Sequence, residues 1–337
     1  MNVYLDHAAT SPMPAEVIEA YVSALAVVGN PSSIHTQGQT AKRMLEEARE
    51  AVAAAVGAEP IEVTFTSGGT EAINLALKGL WWARAKAGRV GEAVSRPAPT
   101  RILSTRAEHH ATIDALEWLE RHEGAEIEWI PVDSLGRIDL VALEAALGPD
   151  VALVTTLWSN NEVGTVQPVA EIVALAAAHG VPVHADAVSA LGQLPIDFAA
   201  SGLAALSISA HKIGGPVGTG ALVTARSTVV EPLLHGGGQQ RFRSGTQDAA
   251  GAHAFGVAAA HASGDLAGHA ARLTQLRDHL IAGIRGAVPS AVLRGDPSDR
   301  VPGNAHFTFP GCEGDSLLFL LDAAGFSVST GSACQAG

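Results

Sequence analysis

Apolar and polar residues along the chain mostly repeat in two alternating patterns, short apolar runs followed by longer stretches with three- and four-residue spacing. The clearest amphipathic stretch has Ala41, Met44, Leu45, Ala48, Ala51, Val52, Ala55 and Val56 on one side, with Lys42, Arg43, Glu46, Glu47, Arg49 and Glu50 on the other. That spacing predicts a helix, closed by Gly57. An earlier helix is predicted over 15–28, whereas 4–10 leads only to a turn at Ser11-Pro12-Met13-Pro14. From residue 61 onward, strands are predicted over 61–65, 101–105, 127–131, 151–158, 181–186, 203–208 and 219–223. Helices are predicted between them over 72–87, 111–122, 139–147 and 168–179. Such βα alternation predicts a mainly parallel sheet covered on both faces. Two helices over 247–262 and 267–287 lead out of this unit, and strand, helix, strand over 304–309, 316–324 and 326–329 predicts a small α+β unit. The segment 88–99 reads as a surface excursion.

Composition narrows the partners. With 337 residues, 47% of them hydrophobic, the chain can bury a large core. A net charge of −13 disfavours nucleic acid or an anionic membrane as a partner. The first residues carry no basic region followed by an apolar run, and no apolar stretch demands a membrane span. Two cysteines, Cys312 and Cys334, are too few for a disulfide framework and fit a reducing, cytoplasmic setting.

Candidate chemistry gathers at the carboxyl ends of the predicted strands, where open α/β sheets bind ligands. Lys212 follows the apolar run 203–208 within Ser209-Ala210-His211-Lys212-Ile213-Gly214-Gly215-Pro216. A lone lysine is usually a surface charge. Here Ser209 and His211 offer phosphate-type donors, the glycines allow a flat ligand near the backbone, and Asp186 ends the strand 181–186. An amine with an acid partner at one sheet edge suits pyridoxal 5'-phosphate (PLP), the lysine forming the Schiff base and the aspartate meeting the ring nitrogen. Asp186 equally suits a cap for the next helix. Thr66-Ser67-Gly68-Gly69-Thr70-Glu71 joins a strand to a helix start, where unpaired N–H groups and the helix dipole favour phosphate. Glu108-His109-His110 and Ser159-Asn160-Asn161-Glu162 place polar residues at two further strand ends, with His109 able to cover a ring and move protons or simply to cap a loop. Arg241 and Arg243, with Ser244 and Thr246, form a glycine-rich loop suited to an anion within the chain or across a dimer. Cys312 sits in a turn and reads as incidental, whereas Cys334 lies among small residues where a thiolate can react.

Nine blocks, in order along the chain, resemble the NifS/IscS-type cysteine desulfurases of aminotransferase class V. They are Leu5-Asp6-His7-Ala8-Ala9-Thr10, Gly29-Asn30-Pro31-Ser32-Ser33-Ile34-His35, Thr66-Ser67-Gly68-Gly69-Thr70-Glu71, Glu108-His109, Asn160-Asn161-Glu162-Val163-Gly164, His184-Ala185-Asp186, Ser209-Ala210-His211-Lys212, Arg243-Ser244-Gly245-Thr246 and Gly331-Ser332-Ala333-Cys334. The resemblance implies a fold type I PLP-dependent transferase, α/β, with a large PLP-binding domain over 14–246. A small α+β domain would comprise 1–13 and 247–337, incomplete at its C-terminus because the family pattern continues beyond Cys334 with an arginine for the substrate carboxylate. It further implies a homodimer, with Lys212 holding PLP, Asp186 on the ring nitrogen and His109 stacked on the ring. Gly69, Thr70, Ser209 and His211 would hold the phosphate together with Thr246 of the partner subunit, and Asn161 would reach the ring oxygen or substrate carboxylate. Cys334 would take sulfur from L-cysteine as a persulfide, leaving L-alanine, and pass it to an acceptor such as an iron–sulfur scaffold or a tRNA-thiolation protein. No metal is implied. Ser189 departs from the pattern, since the family usually carries glutamine three residues after the aspartate. Another class V activity, a selenocysteine lyase or an aminotransferase, would keep Lys212 and Asp186 without needing Cys334, and a binding subunit without turnover would keep only the cofactor.

Overall fold

The computed structural model describes residues 2–86 and 99–331. The excursion expected over 88–99 falls, apart from Pro99, outside the described residues, and so does Cys334. Strands β1 (Val3–Tyr4) to β8 include β2 (Val63–Thr66), β3 (Arg101–Thr105), β4 (Glu126–Ile130), β5 (Val151–Leu157), β6 (Val183–Asp186), β7 (Ala205–Ser209) and β8 (Gly220–Thr224). Seven of them form one sheet in the order β2-β8-β7-β6-β5-β3-β4. Strands β7, β6, β5, β3 and β4 pair in parallel, whereas β8 runs antiparallel to both β7 and β2. The mainly parallel sheet expected from the sequence therefore has a reversed strand, because 210–219 contains only a single 3₁₀ turn (Ala210–Ile213) between β7 and β8. A parallel connection needs a crossover of a dozen or more residues.

Both sheet faces are covered. Every residue of β5 and β7 is buried, as continuous apolar runs in a two-faced parallel sheet require. On one face, α3 (Gly69–Lys86) and α4 (His110–Glu123) set Ile73, Leu80, Leu116 and Leu119 against Ile102, Leu153 and Leu222. On the other, α2 (Thr36–Ala55), α5 (Leu140–Ala146), α6 (Val169–Ala178) and α8 (Ala249–Gly264) bring Leu45, Leu143, Ile172 and Phe255 onto Leu103, Val154, Ala221 and Val223. The register is visible in β8, where Ala221 and Val223 join one core and Leu222 the other. The amphipathic stretch forms α2 as expected, with Ala41, Leu45, Ala48 and Val52 buried and His35 Nδ1 accepting from the Gly38 N–H at 3.2 Å.

Helix α8 is itself sandwiched, packing on α2 and, through Ala254 and Ala258, on Val17 of α1 (Ala15–Leu25). The short α7 (Phe198–Ser201) follows β6, and the long α9 (Leu266–Ala287) follows α8. Beyond them β9 (Val292–Leu293) and β10 (Phe307–Thr308) pair antiparallel, and α10 (Gly314–Ala323) leads to β11 (Phe326–Ser327). The segment 4–10, expected to form only a turn, contributes Tyr4 to the two-residue strand β1, which pairs parallel with β11 and so ties the start of the chain to its last described strand. Among the described residues, no helix is long and apolar enough to cross a membrane.

The α2–α8 contact depends on Gly256, where a Cβ atom would lie 2.9 Å from the Ala48 Cα. Gly256→Val should destabilise the fold by about 1–3 kcal/mol through overpacking, read as a lower urea midpoint with an unchanged slope. An unchanged midpoint would contradict this packing.

Candidate active site

The carboxyl ends of β5, β6 and β7 and the turn after β2 open onto one cavity of about 640 Å³. Eight of the residues singled out from the sequence, Gly69, Thr70, His109, Asn161, Asp186, Ser209, His211 and Lys212, line it. Thr246 does not; it is exposed on the loop 235–246, outside this cavity. Ser189 lines the cavity where the family usually has glutamine, and Cys312, expected to be incidental, is exposed and also lines it.

Parallel pairing builds the central pair. Asp186 is the last residue of β6 and sits in register with Ser207 of β7, so β7 continues past it to Ser209 and the 3₁₀ turn that carries Lys212. Lys212 Nζ donates to the carbonyls of Ala8 and Ala9, at 3.1 Å for Ala9, which folds the segment 6–10 over the lysine. Asp186 is 3% exposed, and its Oδ1 accepts from the Val188 N–H at 2.9 Å, capping a turn where the sequence led us to expect a helix. Burial raises the Asp186 carboxyl from 3.8 to about 6, while the Val188 N–H and the Lys212 charge pull it down. A cationic ring nitrogen placed at this carboxylate would hold it ionised.

The glycine turn is shaped by close approaches. Gly68 has φ +142°, in the region favouring glycine, and a Cβ at Gly69 would lie 2.8 Å from Val188 Cγ2. Gly220 of β8 lies between Thr66 and Ser209 in register, and a Cβ there would lie 2.6 Å from the Gly68 carbonyl carbon. The start of α3 is thereby brought beside Ser209, whose Oγ is buried without a hydrogen-bond partner among the described residues. An orphaned hydroxyl, a helix N-terminus and His211 facing one cavity fit a phosphate group. Together with Lys212 and Asp186, the donor set fits PLP.

His109 caps α4, its Nδ1 accepting from the Ala111 N–H at 3.0 Å, so its ring is fixed at the cavity wall. Burial, with the charges of Lys212 and His110, lowers its pKa below the ordinary 6.5. His211 is lowered for the same reasons, burial first and then Lys212. Neutral imidazoles at both places can accept a proton at neutral pH. The Arg loop finds its anion within the chain: Arg243 Nε donates to Glu71 Oε1 at 2.6 Å, and Glu71 Oε2 accepts from the Ser67 N–H at 2.7 Å. Arg241 instead lies over the Phe242 ring, 4.4 Å from its centroid, and donates to the Thr228 carbonyl.

Two buried groups behind the cavity carry chemistry that the sequence alone did not disclose. His184 bridges Thr155 Oγ1 at 2.9 Å and Ser207 Oγ at 2.8 Å, and burial lowers its pKa to about 3, so it stays neutral. Glu108 accepts from Thr105 Oγ1 at 3.0 Å through Oε1, while Oε2 has no hydrogen-bond partner among the described residues. Burial first, and then the Asp186 charge, raises it from 4.5 to about 8 against hydrogen bonds from the Leu157 backbone and Thr105. The motif Glu108-His109 marked the place, but only tertiary burial separates the two acids into a neutral Glu108 and an ionised Asp186 at neutral pH.

A carboxyl whose pKa is higher in the folded than in the unfolded chain binds more protons when folded, so its stabilising contribution is lost as pH rises from 4.5 to about 8. Glu108→Gln removes that loss. Its stability relative to the parent chain should therefore improve between pH 5 and pH 8, by at most about 1.4 kcal/mol per pH unit, in urea unfolding at the two pH values. A difference that does not change with pH would contradict a protonated Glu108.

Known proteins are similar to this chain over nearly its whole length. The Aminotransferase class-V family model matches residues 3–336. An IscS-like cysteine desulfurase of Mycobacterium tuberculosis is 51% identical, the match covering 99% of this chain and 84% of that one. A solved NifS-like protein superposes with a TM-score of 0.90 at 33% identity, covering 98% of this chain and 87% of the other. A structure of SspA in complex with cysteine gives a TM-score of 0.84 at 30% identity, covering 100% of this chain and 91% of that chain. The chain belongs to the aminotransferase class-V family, among the PLP-dependent cysteine desulfurases of the IscS and NifS type.

Proposed function

We propose that this protein takes sulfur from L-cysteine, releases L-alanine, and carries the sulfur as a persulfide on Cys334 to an acceptor. The observation that carries this function is the meeting of Lys212 and Asp186, from successive strand ends, at one cavity where the lysine charge acts on the carboxylate. SspA, a relative of the same fold, is known in complex with cysteine, which supports the substrate class.

Bound PLP supplies an electron sink for the substrate carbon. Lys212 would hold its aldehyde carbon and, once displaced by the substrate amine, move protons at the substrate carbon. Asp186 would keep the ring nitrogen protonated, and the neutral His109 imidazole would stack on the ring and exchange a proton with the substrate. Ser209, His211, Gly69 and Thr70 would bind the phosphate, with Thr246 of the partner subunit completing the site in a homodimer. The exposure of Thr246 away from its own cavity accords with that division. Asn161 would meet the ring oxygen or the substrate carboxylate. Residues 14–246 would form the cofactor domain, and residues 1–13 with 247–337 the smaller one, in keeping with the β1–β11 pairing. We place the protein in the cytoplasm, with an iron–sulfur scaffold or a tRNA-thiolation protein as acceptor.

Three variants test the assignment. Lys212→Ala should abolish alanine formation and the visible cofactor absorbance. Asp186→Asn should retain cofactor but lose on the order of 10²-fold or more in kcat, the scale of losing one charge-stabilising group. Cys334→Ser should keep the absorbance yet lose alanine and sulfide release from cysteine. Undiminished turnover in Cys334→Ser would point instead to a class V activity that needs no thiol.

A further inference from the structure

The loop that carries Asn161 is gripped from outside the sheet. Residues 159–166 turn back at the end of β5, with Asn160 Oδ1 accepting from the Glu162 and Val163 N–H groups, each at 2.9 Å. Three successive carbonyls of this loop then face one strap, residues 295–306. The Glu162 carbonyl accepts from Asn304 Nδ2 at 2.8 Å, the Val163 carbonyl from Arg300 Nη2 at 2.8 Å, and the Gly164 carbonyl from the Val301 N–H at 2.9 Å. Arg300 Nη2 also donates to Asn304 Oδ1 at 2.8 Å, which orients the amide that holds Glu162. Gly164 has φ +81°, and a Cβ there would lie 2.8 Å from the Asn304 side chain, so the fit leaves no room for a larger residue.

Arg300 is an expensive way to make these bonds. It is 4% exposed, burial and the nearby Arg277 oppose its charge while Asp296 and Asp278 favour it, and among the described residues its Nε and Nη1 have no hydrogen-bond partner. A buried cation satisfied at one nitrogen is costly, and an apolar residue of similar size would fill the space at lower cost. Its two bonds end on the backbone beside Asn161 and on the amide that grips the same backbone.

We propose that Arg300 and Asn304 are positioning residues, locking the backbone of 162–164 so that Asn161 is held facing the cavity. The consequence for catalysis rests on the role of Asn161 proposed above, whereas the lock itself does not. Hydrogen exchange on the PLP-loaded protein separates the two. In Arg300→Met and in Asn304→Ala, amides within 159–166 should exchange at least about tenfold faster, while those of 151–157 in β5 stay unchanged. Arg300→Lys, which keeps a donor for the Val163 carbonyl, should restore part of the protection, and it carries the test with Asn304→Ala if Arg300→Met does not fold. Unchanged exchange in 159–166, or an equal rise throughout the sheet, would overturn the lock. Cysteine kinetics give the second arm: Arg300→Met should raise the KM of the parent chain but add little to that of Asn161→Ala. If Asn161→Ala leaves KM and kcat unaltered while the exchange result holds, the assignment of Asn161 falls and the lock stands.

Discussion

The site depends on a carboxylate kept away from water at the end of a parallel strand. Asp186 is nearly sealed, and its charge is sustained by one backbone N–H and by the nearby amine of Lys212. That environment exists only because both faces of the sheet are covered. Helices α3 and α4 close one side and α2, α6 and α8 the other, so the ends of β5, β6 and β7 open in one direction alone. A hydrogen bond or charge interaction in such a place is stronger than in water. Loss of cover on either face would rehydrate the acid and weaken its hold on a ring nitrogen.

Around this carboxylate the titratable groups are graded by burial rather than by sequence. His184, two residues earlier on the same face of β6, is kept neutral between two hydroxyls and so places no competing cation under Asp186. Glu108 carries a proton instead of a second negative charge. His109 and His211 are biased toward the neutral form by burial and by Lys212. At the strand end the cavity thus presents an ionised Asp186, with His109 and His211 biased toward the neutral form at its wall, a division suited to a reaction that moves protons about a ring whose nitrogen stays protonated.

Much of this was legible in the sequence. Lys212 and Asp186 could be placed at one edge because each follows a short apolar run in a βα pattern, and strand ends on the same side of a parallel sheet are neighbours. The glycine turn at 66–71 was equally legible, since only its backbone and a helix start matter. The reversal of β8 was not predicted from its apolar pattern, which reads the same in either direction; the short link 210–219 was the available signal. Glu108 showed no local sign of its proton, because its burial comes from the neighbouring ends of β3, β5 and β6. The Arg243–Glu71 pair and the grip of Arg300 and Asn304 on 162–164 join residues more than a hundred positions apart, and nothing in periodicity reports such contacts.

The most direct test of the account is to reduce the PLP-loaded protein with borohydride and map the labelled peptide by mass spectrometry. Reduction fixes the cofactor to whichever amine held it. A pyridoxyl group on Lys212 alone is the expected result; label on Lys42, Lys78 or Lys86, or no label at all, would contradict the pairing of Lys212 with Asp186 on which the site is built.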